Sequence, residues 1–154
     1  MKNMKVINRR ARYDYEILES FETGIVLTGP EVKSLRGGRM TLDGSFVKII
    51  GSEVYLVNAQ IFPYPYARPE NYDPKRTRKL LMHKKEIISL KIKLASTDLT
   101  LVPLECYNSK AYFKVKIALA KGKKKYQKKE KLKRKDIQRD VERELRSKKD
   151  PGRI

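Results

Sequence analysis

The 154-residue chain has one cysteine, one histidine and no tryptophan. With Cys106 alone there is no internal disulfide and no cysteine-based zinc site, and with His83 as the only imidazole most metal-ligand and nucleophile–base constellations are out of reach. These absences argue against catalysis, and no cofactor is expected. No apolar run approaches the roughly 20 residues of a membrane span. The N-terminal residues Met-Lys-Asn-Met-Lys-Val-Ile-Asn-Arg-Arg turn basic where a secretory signal turns apolar. A cytoplasmic protein with no membrane partner is the expectation.

What the chain has in excess is positive charge: 37 Lys and Arg stand against 18 Asp and Glu, a formal net charge of +19. The excess is uneven. Residues 121–154 carry sixteen basic and six acidic side chains but only five large aliphatic ones. So little apolar surface cannot offset the entropy of ordering, and a largely disordered tail is expected in free solution. Charge of this density attracts phosphate backbones in a salt-sensitive way. An anionic membrane would compete for it only through an amphipathic face with bulky anchors, which the tail lacks. The expected division is a folded, basic domain over 1–122 and a tail over 123–154.

The domain reads as mainly β. Residues 13–28 are rich in β-branched and aromatic side chains and suggest two strands joined at a bend near Glu22 to Gly24. Gly29-Pro30 opens a short helix that Gly37-Gly38 closes. The runs 45–50 and 53–60 flank Gly51-Ser52, a tight hairpin turn. Residues 61–79 hold four prolines and three tyrosines before a basic cluster, which marks a long surface loop. Residues 84–95 suit a helix; 99–107 and 111–119 are strands, the second alternating Tyr112, Lys114 and Lys116 with Phe113, Val115 and Ile117. About six strands with two or three short helices predict a small closed antiparallel barrel of the oligonucleotide-binding (OB-fold) kind.

Several segments have RNA-binding composition. Arg9, Arg10 and Arg12 precede the first long strand and can either reach phosphates or form a solvated arm. The cluster 75–79, including Arg78 and Lys79, lies beside tyrosines, pairing guanidinium groups with faces on which unpaired bases stack. Glu22 reads as the partner of a neighbouring arginine or as an acceptor for base N–H groups, the ion pair being favoured on the residues alone. Asp14, Glu16, Glu19 and Glu22 are close enough in sequence to raise metal-dependent nuclease chemistry, but their spacing divides them between strand faces. In the tail, Tyr126 interrupts a lysine run that includes Lys123, Lys124, Lys128 and Lys129. Beyond it Ile137, Val141 and Leu145 recur every four residues, making a thinly striped helix available.

Asn8-Arg-Arg-Ala-Arg, Phe21-Glu-Thr-Gly-Ile-Val-Leu-Thr-Gly, Glu31-Val-Lys-Ser-Leu-Arg-Gly-Gly, Arg78-Lys-Leu-Leu-Met-His, Leu99-Thr-Leu-Val-Pro-Leu and Ala118-Leu-Ala-Lys-Gly-Lys-Lys occur in this order. Together they resemble the bacterial SsrA-binding (SmpB) family over about residues 5–146. The resemblance implies an OB-like barrel that binds the tRNA-like domain of transfer-messenger RNA (tmRNA) and accompanies it to stalled ribosomes, where the tail folds as a helix in the empty message channel. It implies a non-enzyme and, through the tmRNA complex, elongation factor Tu as a further partner; a monomer is expected. The family's tmRNA-binding glutamate falls on Glu22, and its Leu-x-Asn-or-His element on Leu81 and His83. The residue near the decoding centre of the small ribosomal subunit falls on Tyr13, where the more familiar histidine is absent. The tail's stacking position falls on Tyr126, and the family's Asp-Lys-Arg stretch reads Gln127-Lys128-Lys129 here. That change loses a carboxylate and replaces arginine's bidentate fork with an ammonium group.

Overall fold

A computed structural model of the protein describes residues 3–65, 71–95 and 98–123. The chain divides into two units, Met1–Gly122 and Lys123–Ile154, and apart from Lys123 the description concerns the first. Its elements in order are β1 (Lys5–Ile7), α1 (Arg9–Asp14), β2 (Tyr15–Ile25), α2 (Gly29–Arg36), β3 (Met40–Thr41), β4 (Phe46–Ile50), β5 (Glu53–Val57), β6 (Gln60–Ile61), β7 (Arg78–Leu81), α3 (Lys84–Leu94), β8 (Leu99–Ser109) and β9 (Tyr112–Gly122).

Six of these strands close a ring in the order β8-β4-β5-β7-β2-β9, with β9 returning to β8, and the pairings are antiparallel. Closure removes the free sheet edges that an open sheet of this size would expose. Strand β8 is long enough to hold β4 at Leu101 and β1 at Glu105, Cys106 and Tyr107. The small pair β3–β6 lies apart from the ring. The barrel expected from the sequence is therefore present, with its hairpin at Gly51-Ser52 and its alternating ninth strand.

Alternation fills the interior. Val54, Leu56, Leu80, Leu101, Val115 and Ile117 point inward and are buried, joined by Leu35 from α2 and by Ile87 and Leu90 from α3. Past Ile117 both faces of β9 are buried, because Ala118 and Ala120 are small enough for α1 to lie against the barrel's outer wall. There Ala11, Val102, Leu104, Ala118 and Ala120 form a second apolar cluster with Tyr15 and Ile17 at its edge.

Three expectations are corrected. Residues 13–28 do not form two strands with a bend at Glu22–Gly24: β2 is continuous through those residues, and its irregularity is a bulge between Ile17 and Glu19, with Leu18 half exposed. The arginines at 9, 10 and 12 belong to a helix rather than an arm. Asn8 makes that helix possible: its side-chain oxygen accepts from Ala11 N–H at 3.3 Å, and its amide donates to the Pro103 carbonyl at 2.9 Å, tying α1 to the bulge in β8. The loop after Ile61 ends earlier than expected, since Arg78 to Leu81 form β7, bonded to β5 on one side and β2 on the other.

Candidate nucleic-acid interface

The register of β2 sets out the surface. Glu22 and Gly24 lie on the outer face of β2, because Thr23 between them is buried with its hydroxyl donating to the Val115 carbonyl at 2.8 Å. Gly24 pairs with Leu81 on one side and with Lys114 on the other. Leu81 is 53% exposed although it follows a fully buried leucine, since a strand can turn only one of two successive side chains inward. His83 is exposed and caps α3 through its backbone carbonyl, so its imidazole is not used for capping. Leu81, His83, Gly24 and Glu22 thus belong to one exposed stretch of the barrel wall.

Glu22 is held from the opposite side. Tyr107 donates a short hydrogen bond to Glu22 Oε2, and Lys114 Nζ donates to Oε1 at 2.9 Å. The bond from Tyr107 and the ammonium of Lys114 keep the Glu22 carboxyl below the usual carboxylate range. Burial and the bond to Glu22 push the Tyr107 phenol up to about 12. A carboxylate held below its usual range, oriented by two donors but half exposed, is an acceptor suited to base N–H or ribose hydroxyl donors. The ion pair favoured from the residues is present, but its cation is a lysine 92 positions away rather than a neighbouring arginine.

At the other end of β2, roughly 23 Å from Glu22 at strand rise, Tyr15 pairs with Gly122, the last residue before Lys123. The chain therefore leaves the barrel beside the end of α1, where Arg9, Arg10 and Arg12 are exposed and Tyr13 is half-buried. The expected tmRNA residues Glu22, Leu81 and His83 lie near one end of β2, whereas the expected ribosome-facing Tyr13 lies on α1 at its other end, together with Arg9, Arg10 and Arg12, which were also expected at tmRNA.

The profile of the SmpB protein family matches residues 5–147. The chain belongs to that family. Among its relatives, the SsrA-binding protein of Streptococcus mutans is 48% identical over 94% of this chain and 93% of its own length. That of a Sulfurihydrogenibium species is 51% identical over 92% and 93%. A solved chain described as "tmRNA-SmpB: a journey to the center of the bacterial ribosome" is similar with a TM-score of 0.66 and 51% identity, covering 79% of this chain and 85% of the other.

Within this SmpB-family barrel the two arginines of the basic cluster at the start of β7 serve a purpose other than the one expected. Arg78 is fully buried: its guanidinium donates to Glu31 at 2.7 Å, to the Ala59 carbonyl at 2.8 Å and to the Pro74 carbonyl at 3.1 Å. It has no surface to offer RNA. Arg76 joins the same carboxylate at 2.7 Å. Glu31 also accepts from the Thr28 N–H at 2.9 Å, closing the first turn of α2. Burial pushes the Glu31 carboxyl up, but the bonds from Arg76 and Thr28 and the charge of Arg78 outweigh it and hold the group below its usual range. Lys79 remains on the surface, 3.2 Å from Glu53.

The acidic residues do not gather. Glu19 pairs with Lys93 at 2.6 Å, Glu22 with Lys114, and Asp14 lies on α1; among the described residues no group of acidic, histidine or cysteine side chains is arranged to hold a metal. No helix among them is long and apolar enough to cross a membrane. Lys124, Tyr126, Gln127, Lys128, Lys129 and the striped helix expected beyond them lie outside the described residues. Tyr107 and Lys114 were missed from the sequence. The outward alternation of Tyr112, Lys114 and Lys116 was the available signal for Lys114, whereas Tyr107 carries none.

Proposed function

We propose that this protein binds the tRNA-like domain of tmRNA and brings it to ribosomes stalled without a stop codon, so that incomplete proteins are tagged and the ribosomes released. The observation that carries this reading is the exposed Glu22–Leu81 stretch, set at the opposite end of β2 from α1 and the root of the tail. It supports a two-ended adaptor. One end takes tmRNA through Glu22, Leu81 and His83, with Lys79 beside them adding a phosphate contact, while the arginines of α1 reach RNA phosphates from the opposite end of β2. At the other, Tyr13 and the tail from Lys123 through Lys124, Tyr126, Gln127, Lys128 and Lys129 meet ribosomal RNA at the decoding centre and in the empty message channel.

The protein acts in the cytoplasm as a monomer, by positioning rather than by chemistry, and meets elongation factor Tu through the tmRNA complex. Removing residues 123–154 tests the division of labour. Titration with the tRNA-like domain should be nearly unchanged, while tagging on stalled ribosomes in a reconstituted translation system is abolished. Parallel loss of both would sink the two-ended reading.

A further inference from the structure

A depression of about 240 Å³ lies beside α1, on the flank of the barrel wall away from Glu22. Phe46, Tyr15, Val102, Ala11, Arg10 and Asp14 line it, and the Gly44–Ser45 turn forms the remaining side. Phe46 precedes the inward-facing Val47, so it stands on the outer wall with 43% of its surface exposed. Ala11 and Val102, both 3% exposed, give an apolar floor. The volume falls below the roughly 300–1,000 Å³ of sites for drug-sized ligands. It suits one planar fragment.

We infer that this depression is a pocket for a single unpaired guanine nucleotide of an RNA. Each wall has a matching chemical part. The exposed ring of Phe46 offers a face for base stacking, which sequence-specific RNA recognition uses on splayed-out bases. Arg10, exposed at the rim, is placed for the nucleotide's phosphate. Asp14 supplies a carboxylate with about four acceptor positions, so a partner within the protein leaves capacity for a ligand. Guanine presents two adjacent N–H donors on its Watson–Crick edge, from N1 and the exocyclic N2. Uracil presents one N–H flanked by two carbonyl oxygens, which a carboxylate repels. The net charge of +19 favours a polyanion over a neutral ligand of the same size.

The inference rests on the RNA-binding reading above but uses residues outside the Glu22–Leu81 stretch. Its source is either the tmRNA or the ribosomal RNA, and the chemistry is shared. Because the chain has no tryptophan, Phe46→Trp in the full-length protein creates a lone fluorescent reporter at the stacking position. Guanosine 5′-monophosphate should quench it saturably and bind roughly tenfold more tightly than uridine 5′-monophosphate. Arg10→Gln on that background should weaken the monophosphate but leave free guanosine unaffected, and Asp14→Asn should erase the preference for guanine.

Adding the tRNA-like domain of tmRNA or a decoding-centre ribosomal RNA fragment in separate titrations assigns the source by which one quenches. Amide shifts of Gly44 and Phe46 in the unsubstituted protein, titrated with the same monophosphate, give a second reading that does not depend on the tryptophan. Equal response to both monophosphates, no response in either measurement, or quenching by neither RNA overturns the pocket. Repeating the titration with Glu22→Ala separates the two ideas. A pocket that still responds while tmRNA affinity collapses upholds both, and a pocket silent in the unsubstituted protein, beside tmRNA binding that Glu22→Ala weakens, removes only this one.

Discussion

A Cβ placed on Gly24 would meet the Cβ of Leu81 at 3.3 Å and its Cδ1 at 3.5 Å. The absent side chain gives Leu81 the space to lie over Gly24 on β2. Gly24 has no positive φ, so its own backbone accepts alanine, and Leu81, whose Cβ is the nearest atom, must yield by a few tenths of an ångström. Gly24→Ala should therefore change global stability by less than about 1 kcal/mol yet weaken binding of the tRNA-like domain severalfold by moving Leu81. A melting curve and a binding titration on the same sample check it. Unchanged affinity would show that the placement of Leu81 is not critical.

Tyr107 orients Glu22 without being exposed enough to dominate the surface itself. Tyr107→Phe removes the strongest of the influences that depress the Glu22 carboxyl, leaving Lys114 to hold it. The titration of Glu22, followed by carboxyl ¹³C shifts, should move upward toward the ordinary value of 4.5. RNA affinity should fall, though less than for Glu22→Ala, because the acceptor stays while its orientation loosens. A titration that stays in place would mean the hydrogen bond does not persist in solution.

What the sequence made legible was whatever is encoded locally. The Gly51-Ser52 turn between two apolar runs and the period-two pattern from Tyr112 to Ile117 are properties of adjacent residues, and both survive in β4, β5 and β9. Helix α1 was illegible because its six residues carry one buried side chain, too few to display a helical period, and its cap gains strength from a carbonyl 95 positions away. Arg78 misled for a related reason. In a basic cluster a guanidinium reads as surface charge, and only the arrival of Glu31 from 47 positions upstream makes its burial tolerable. Glu22 was found through family resemblance; its partners Tyr107 and Lys114 lie 85 and 92 residues away and needed the barrel to close.

The Glu31–Arg78 pair makes a pH-dependent contribution with a definite sign. The folded Glu31 carboxyl titrates below its usual value of 4.5. Its stabilisation is therefore complete above that value and is lost as the pH falls through the depressed folded value. Glu31→Gln leaves the buried Arg78 guanidinium without its counter-charge and should cost about 3–5 kcal/mol at neutral pH. The variant should also show a shallower loss of stability on acidification, since one ionisation linked to folding has been removed. Urea denaturation at a series of pH values from neutral into the acid range measures both effects. Parallel stability curves for the two proteins would rule out the linkage.

Cys106 offers a way to connect stability with binding in one measurement. Its side chain is wholly buried on β8, and desolvation pushes the thiol up to about 12. Alkylation needs an accessible thiolate, so the folded protein should be nearly inert to iodoacetamide at pH 8, and whatever labelling occurs should report opening of the barrel. A ligand that binds only the closed barrel suppresses that opening by mass action. The tRNA-like domain at 100 times its Kd stabilises by about 2.7 kcal/mol, which corresponds to roughly a hundredfold slower labelling when reclosing outpaces reaction. Mass spectrometry of timed samples, with and without the RNA, gives the ratio. A rate that the RNA leaves untouched would place the opening of β8 outside the unit that tmRNA stabilises, and would mean that the wall carrying Tyr107 and Lys114 can part without releasing the RNA.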